Sequence, residues 1–110
     1  MMLKWPFYKA FAASVPAKFE NMLQEKSWEY AAILKGLPAG AARLLKAVAK
    51  EGVVKSATGG RFIAAHSLSG ASSVHLSLKK LLENELLYET DNGLVVYDRL
   101  FGMWLARLSE

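Results

Sequence analysis

A tripeptide, Asp91-Asn92-Gly93, separates two short apolar runs at residues 86–90 and 94–97. An Asn-Gly pair between two such runs is the strongest short-range signal for a β-hairpin, because both residues accept positive φ angles. The sequence therefore predicts a two-stranded hairpin here.

Apolar residues at helical spacing predict helices on both sides of this hairpin. The first helical segment covers residues 5–35, with Ser14 expected to cap a helix that starts at Pro16. Glycine and proline then break the pattern at Gly36–Gly40 and make a hinge. The later helices are expected from Ala41 to Gly52, from Thr58 to His66, from Ala71 to about Asn84, and after Asp98, which is a suitable N-cap.

A brief β-branched strand at Val53–Ser56 and a tight turn at Ser67–Gly70 complete the predicted order. From Ala41 onward this is helix, short strand, helix, turn, helix, hairpin, helix. That order is typical of a winged helix-turn-helix with one extra helix after the wing. We therefore expect a mostly α fold with a small β-hairpin (α+β), in which residues 38–110 form the winged helix-turn-helix domain. Residues 1–37 are expected to be an N-terminal helical segment and linker from an upstream module.

The apolar faces of the predicted helices are expected to meet in one core. The residues assigned to this core are Leu44, Val48, Phe62, Val74, Leu78, Leu81 and Phe101. Trp28 and Trp104, like Phe101, are interpreted as core and domain-packing residues rather than as stacking platforms. The N-terminal aromatics are expected to pack on an upstream module or on a second copy of the domain; they are Trp5, Phe7, Phe11 and Phe19.

The chain has 110 residues, the size of one ordinary domain, and no cysteine. The lack of cysteine excludes a disulfide framework, a thiolate nucleophile, a zinc finger and an iron–sulfur site. His66 and His75 lie across a turn with no acidic ligand between them, and we interpret them as ordinary surface or interface residues. No apolar run approaches the ~20 residues needed to cross a bilayer, and we expect a cytoplasmic protein with no membrane partner.

Four stretches of the chain carry a resemblance to a known family. They read LLKAVA at residues 44–49, RFI at 61–63, LSGASSV at 68–74 and VYDRLFGMWL at 96–105. Because of these four stretches, the segment from about Pro38 to Leu108 resembles the C-terminal winged-helix domain of AAA-type (P-loop) ATPases of archaea and bacteria. Arg99 departs from the pattern, since the family usually has proline there. The resemblance implies an ATPase module upstream, with residues 1–35 as the helical stretch that leads from it, and the doubled Met1-Met2 indicates a segment cut from a longer chain.

Motifs for catalysis are missing from the sequence. There is no Gly-x-x-x-x-Gly-Lys-Ser/Thr motif, so we expect no nucleotide and no other cofactor to bind this chain. There is no Gly-x-Ser-x-Gly elbow either. Ser72 and Ser73 stand where a helix begins, a position at which a side-chain oxygen satisfies free backbone donors. We therefore expect no enzyme activity and no metal site.

A basic stretch supplies the candidate contacts to DNA or to a protein partner. Residues 53–80 contain four bases and no acid; the bases are Lys55, Arg61, Lys79 and Lys80. The helix after the turn is the element that enters the major groove in DNA-binding examples of this motif. Its solvent face is expected to present Ser72, Ser73, His75, Leu76 and Lys79.

The predicted wing argues against DNA binding. Residues 83–91 contain four acids and no base, whereas a wing that touches phosphates normally carries lysine or arginine. The preceding helix also has no Arg, Asn or Gln, the residues that read guanine and adenine. Two hypotheses therefore stay open: a DNA-binding winged helix that serves an ATPase or acts as a regulator, and a module for protein interaction or self-packing. The expected partners are the upstream ATPase module, a protein partner or a second copy, and at most weakly bound DNA.

Overall fold

The computed structural model describes residues 17–108 of the chain, and the side chains of residues 20–108. The elements are helix α1 (Ala17–Lys35), α2 (Ala39–Glu51), α3 (Gly60–Ala65), α4 (Ala71–Glu83), strands β1 (Leu87–Thr90) and β2 (Gly93–Val96), and helix α5 (Arg99–Leu108). This order confirms the predicted α+β fold with the hairpin between two helices. The predicted N-cap Ser14 and the aromatics Trp5, Phe7 and Phe11 lie outside the described residues, as does the side chain of Phe19.

Helix α2 is the centre of the core. Leu44, Leu45 and Val48 are completely buried, and α2 packs against α4, α5 and β2. The predicted core is confirmed for six of its seven residues, which are buried in one cluster: Leu44, Val48, Phe62, Val74, Leu81 and Phe101. Leu78 packs against the same cluster but is only half-buried, because one side of it lines a cleft beside the hairpin.

The hairpin forms where the sequence predicted it, with a different turn conformation. Strands β1 and β2 pair antiparallel, and the pair Thr90↔Gly93 leaves Asp91 and Asn92 as the loop. Gly93 has a φ of +136°, but Asn92 does not adopt the positive φ that is usual in a two-residue Asn-Gly turn. The Thr90 hydroxyl explains the turn, because it accepts a hydrogen bond from the Asn92 N–H (3.1 Å) and donates one to the Gly93 carbonyl (2.8 Å).

The predicted strand at Val53–Ser56 is present only as a single bridge. The Val54 N–H donates to the Leu94 carbonyl (2.9 Å), and the Leu94 N–H donates to the Val54 carbonyl (2.7 Å). A Cβ on Gly93 would lie 2.7 Å from the Val54 carbonyl oxygen. Glycine at position 93 therefore allows this segment to approach β2.

The last helix begins and docks as its sequence suggests. Asp98 Oδ1 accepts hydrogen bonds from the N–H groups of Leu100 (3.0 Å) and Phe101 (3.3 Å), which confirms the N-cap. Helix α1 packs on α5, where the Tyr30 ring lies 4.8 Å from the Phe101 ring and 5.6 Å from the Trp104 ring. The division at residues 37 and 38 stays a prediction.

One of the two tryptophans assigned to the core lies on the surface. Its side chain is 85% exposed, so its assignment to the core is wrong, whereas Phe101 is buried and Trp104 is half-buried against the core. The reason is the helical period of α1. Its buried positions, Leu23 and Tyr30, are two turns apart on one side, and Trp28 points away from that side.

Among the described residues, no helix is both long enough and apolar enough to span a membrane.

Candidate interaction surface

Helix α4 presents an open side to solvent. A turn at residues 66–70, with Ser67 at φ +54° and Gly70 at φ +153°, separates it from α3. Val74 and Leu81 anchor α4 in the core. The five residues predicted to project from it are all exposed: Ser72, Ser73, His75, Leu76 and Lys79.

Leu76 lies near the middle of this open side. At about 100° per residue, Lys79 and Lys80 fall one turn further along the helix and flank Leu76 on either side. Leu76 is 69% exposed, more than any other leucine, isoleucine, valine or methionine in the described part of the protein. Ser73 lies toward α2, where it shares a small hollow with Gly40 and Arg43.

A cleft of about 290 Å³ lies between the segment at residues 54–57 and the tip of the hairpin, with one residue of α4 at its side. Leu78 of α4 forms one wall, and Glu89 and Asp91 stand on the hairpin side, with Lys55 on the segment that bridges to β2. The structure therefore brings Lys55 next to the acidic wing. Arg61 lies on α3 and is exposed, and no contact joins it to the cleft.

Exposed charges of both signs lie on α4, at its C-terminal end and on the hairpin, and they are not paired with one another. Lys55, Arg61, Lys79 and Lys80 are exposed, and none of them forms an ion pair with another described residue. The same holds for the four acids of residues 83–91, which are Glu83, Glu85, Glu89 and Asp91. Both sets of charges are thus available to an external partner.

A family model described as "probable winged helix domain" matches residues 28–107 of the chain. The chain belongs to this winged helix family. The matched residues run from within α1 to within α5 and include α4, the cleft and the hairpin. Comparisons with curated proteins and with solved structures gave no significant match. The family confirms the winged-helix part of the resemblance described above, and the link to AAA-type ATPases stays a prediction.

In this winged helix, α4 is the recognition helix and the β1–β2 hairpin is the wing. Leu76 offers an apolar contact at the centre of the recognition helix, and Lys79 and Lys80 offer charge beside it. DNA reading needs side chains that pair with base edges, and α4 contains no Arg, Asn or Gln.

Two features of the surface were not predicted from the sequence. The Nε2 atom of His66 lies 2.8 Å from a carboxylate oxygen of Glu51, and the His66 ring lies 4.8 Å from the Phe62 ring. This pair joins the C-terminal ends of α2 and α3, fifteen positions apart in the chain, and no local pattern signals it.

On the wing, Tyr88 and Tyr97 are both exposed and their rings meet edge to face at 5.7 Å. The alternation of the strands could have placed these two side chains on one face.

His75 is exposed on α4, and His66 has Glu51 as its neighbour. Within residues 17–108, no group of three His, Cys, Asp or Glu side chains is arranged to hold a metal ion. The candidate contacts at Lys55, Arg61, Ser72, Ser73, His75, Leu76, Lys79 and Lys80 are all exposed, and their role in binding stays a prediction.

Proposed function

We propose that this winged helix is a non-catalytic interaction module of a cytoplasmic P-loop ATPase and binds DNA at most weakly and without sequence preference. The observation that carries the proposal is the acidic wing: Glu89 and Asp91 stand at the cleft, and residues 83–97 contain no lysine or arginine. A phosphate that approached the wing would meet these carboxylates and be repelled by them.

The electrostatic argument rests on the source of DNA affinity. Most of the affinity of a winged helix for DNA comes from lysine and arginine side chains that neutralise phosphates. The wing instead adds repulsion, so only the bases outside it can contribute. Leu76 gives the recognition helix an exposed apolar side chain, whose burial against a protein partner would be favourable.

The assignment to an ATPase is supported by the closing motif at residues 96–105. In the structure this motif forms the end of β2, the Asp98 cap and most of α5, so its residues shape the helix on which α1 docks. The coding sequence upstream of Met1 tests the assignment. A Walker motif within a few hundred codons in frame is the expected result, and an in-frame stop codon directly upstream would contradict it.

A DNA-binding regulator is the second candidate function. It is favoured by the four exposed bases Lys55, Arg61, Lys79 and Lys80, which have no ion-pair partner among the described residues. If all four contacted phosphates, the logarithm of the binding constant would fall with the logarithm of salt concentration with a slope of about −3.6.

Fluorescence anisotropy with a short duplex of random sequence, measured at two salt concentrations, distinguishes the two functions. We expect a Kd no better than the non-specific range of ~10⁻⁴ to 10⁻⁶ M at physiological salt. K79E/K80E should abolish this binding, and K35E/K50E, which reverses two exposed lysines on α1 and α2, is the control with the same change in net charge. Nanomolar binding with a clear sequence preference would contradict the proposal and support the regulator.

A further inference from the structure

An acidic side chain lies on the otherwise buried face of the hairpin. Glu89 is the direct cross-strand partner of Leu94, so the two side chains share a face. On that face Leu87, Leu94 and Val96 are buried, whereas Glu89 is exposed. The alternation of β1 therefore places a carboxylate on the side of the hairpin that packs on the protein, where it lines the cleft.

The residues that line this cleft divide by burial and by chemistry. The exposed ones are all polar or charged, and the apolar ones are buried or half-buried; the apolar set is Val54, Ala57, Leu78 and Leu94. The cleft volume of about 290 Å³ is at the lower limit of the roughly 300–1,000 Å³ that small-molecule pockets occupy. A cleft of this size and composition is suited to a long side chain with an apolar stem and a charged end.

The charge of the cleft is negative, although the chain as a whole has a formal net charge of +4. Glu89 and Asp91 contribute two carboxylates, against the single ammonium group of Lys55. None of these three side chains forms an ion pair with another described residue. The nearest base after Asp91 in the sequence is Arg99, which lies beyond the end of β2 that is opposite the hairpin tip. Both carboxylates are thus available to a cation from outside the chain.

Lysine and arginine side chains match both properties of the cleft. Their methylene stems pack along apolar surface, while the charged end groups stay in contact with water. Arginine also has five N–H donors, so one guanidinium can bond to more than one carboxylate. A phosphate or an acidic peptide would instead be repelled by Glu89 and Asp91.

We infer that the cleft between residues 54–57 and the hairpin tip binds an arginine or lysine side chain from a basic segment of a partner protein. The stem of that side chain packs on the apolar lining, and its charged end pairs with Glu89 and Asp91. Lys55 repels the same cation, so the binding is weak and sensitive to salt. This inference rests on the proposed function, because it names the chemistry of the interaction module's partner.

Fluorescence anisotropy of a labelled hexa-arginine peptide, titrated with the full chain, tests the cleft. The wild type should bind the peptide with a Kd below about 1 mM, although both molecules carry a net positive charge. E89Q/D91N should weaken binding by about fivefold or more, because two exposed ion pairs are lost. E83Q/E85Q is the matched control: it removes two exposed acids outside the cleft, with the same change in net charge, and should weaken binding by less than about twofold.

Two further measurements show whether the peptide binds in the cleft. K55Q should tighten binding by about twofold or more, because it removes the like charge that faces the bound cation. In nuclear magnetic resonance spectra of the isotope-labelled chain, the peptide should shift the backbone amide signals of residues 54–57 and 89–94 and leave those of α1 unchanged. A hexa-glutamate peptide should cause neither shifts nor a change in anisotropy.

No saturable binding by the wild type at concentrations up to about 1 mM would overturn the inference. Equal weakening by E89Q/D91N and E83Q/E85Q would also overturn it, because the attraction would then come from the acidity of the wing in general. Far-UV circular dichroism checks that each variant is folded, and a gain of affinity in K55Q itself requires a folded cleft. The DNA titration described above decides the proposed function separately, since it contains no peptide.

Discussion

Tyr30 is a buried residue whose polar atom has no partner in the described part of the chain. Its side chain is buried between Phe101 and Trp104, and its hydroxyl forms no hydrogen bond. A buried hydroxyl without a hydrogen bond costs about 1–3 kcal/mol of desolvation. We therefore expect Tyr30→Phe to raise the free energy of unfolding by about 1 kcal/mol in chemical denaturation, and a loss of stability would show that the hydroxyl has a partner.

The same residue predicts a pH dependence. Burial, with smaller contributions from the charges of Asp98 and Glu29, raises the pKa of Tyr30 from 10.0 to about 12. Between about pH 10 and 12, the unfolded chain releases the Tyr30 proton and the folded chain keeps it. The free energy of unfolding therefore falls as the pH rises through this range. Tyr30→Phe should lack this contribution to the fall in unfolding free energy with pH. Equal slopes of unfolding free energy against pH in the two proteins would contradict the assignment.

Phe101 carries the largest expected loss from a single substitution. It is almost completely buried, and its ring contacts those of Tyr30 and Trp104. Phe101→Ala should lower the free energy of unfolding by ~3–5 kcal/mol, because the cavity cost adds to the lost burial. Leu108 lies on the same helix and is 50% exposed, so Leu108→Ala should change stability by only about 0.5 kcal/mol. A loss below about 1 kcal/mol for Phe101→Ala would contradict its place in the core.

At the level of elements, the wing depends on a close approach at Gly93. Its φ of +136° is unfavourable for other residues, and a Cβ would meet the Val54 carbonyl oxygen at 2.7 Å. Gly93→Ala should lower the free energy of unfolding by about 1–3 kcal/mol. Gly60 is the matched control, since it has open space around its Cα at the start of α3 and Gly60→Ala should be neutral or stabilising. Equal effects of the two substitutions would contradict this account of the wing.

The sequence predicted the elements whose signals are local. The end of α2, the boundaries of α4, the Asp98 cap and the hairpin all follow from residues that contact each other within a few positions. The start of α2 does not: the helix begins at Ala39, two residues before the predicted Ala41 and within the predicted hinge at Gly36–Gly40. The turn conformation at Asn92 could not be predicted in the same way. It depends on the Thr90 side chain and on the approach of Val54 to β2, and the second of these is a tertiary contact.

Long-range contacts also limited what could be predicted for single residues. Trp28 is apolar and lies in a helical segment, but which side of α1 is buried depends on where α5 docks. The contact between His66 and Glu51 depends on the angle between α2 and α3. The exposed side of α4 was predicted correctly, because the buried stripe of a helix also fixes its open side.

At the level of the whole molecule, the proposed function rests on the arrangement of charge. The sequence shows a basic stretch followed by an acidic stretch, and the structure shows that a cleft brings Lys55 and the acids Glu89 and Asp91 to the same place. In the proposed function, the wing opposes the attraction that the recognition helix offers to a polyanion.

Anisotropy titrations of a random duplex with the wild-type chain and with E89K/D91K, at physiological salt, test this claim most directly. The acidic wing predicts that charge reversal tightens binding by at least about tenfold, because repelled phosphates become attracted ones. In a wing that already contacts DNA, the same substitutions would leave the affinity unchanged or lower it. Either of those two results for E89K/D91K would contradict the account.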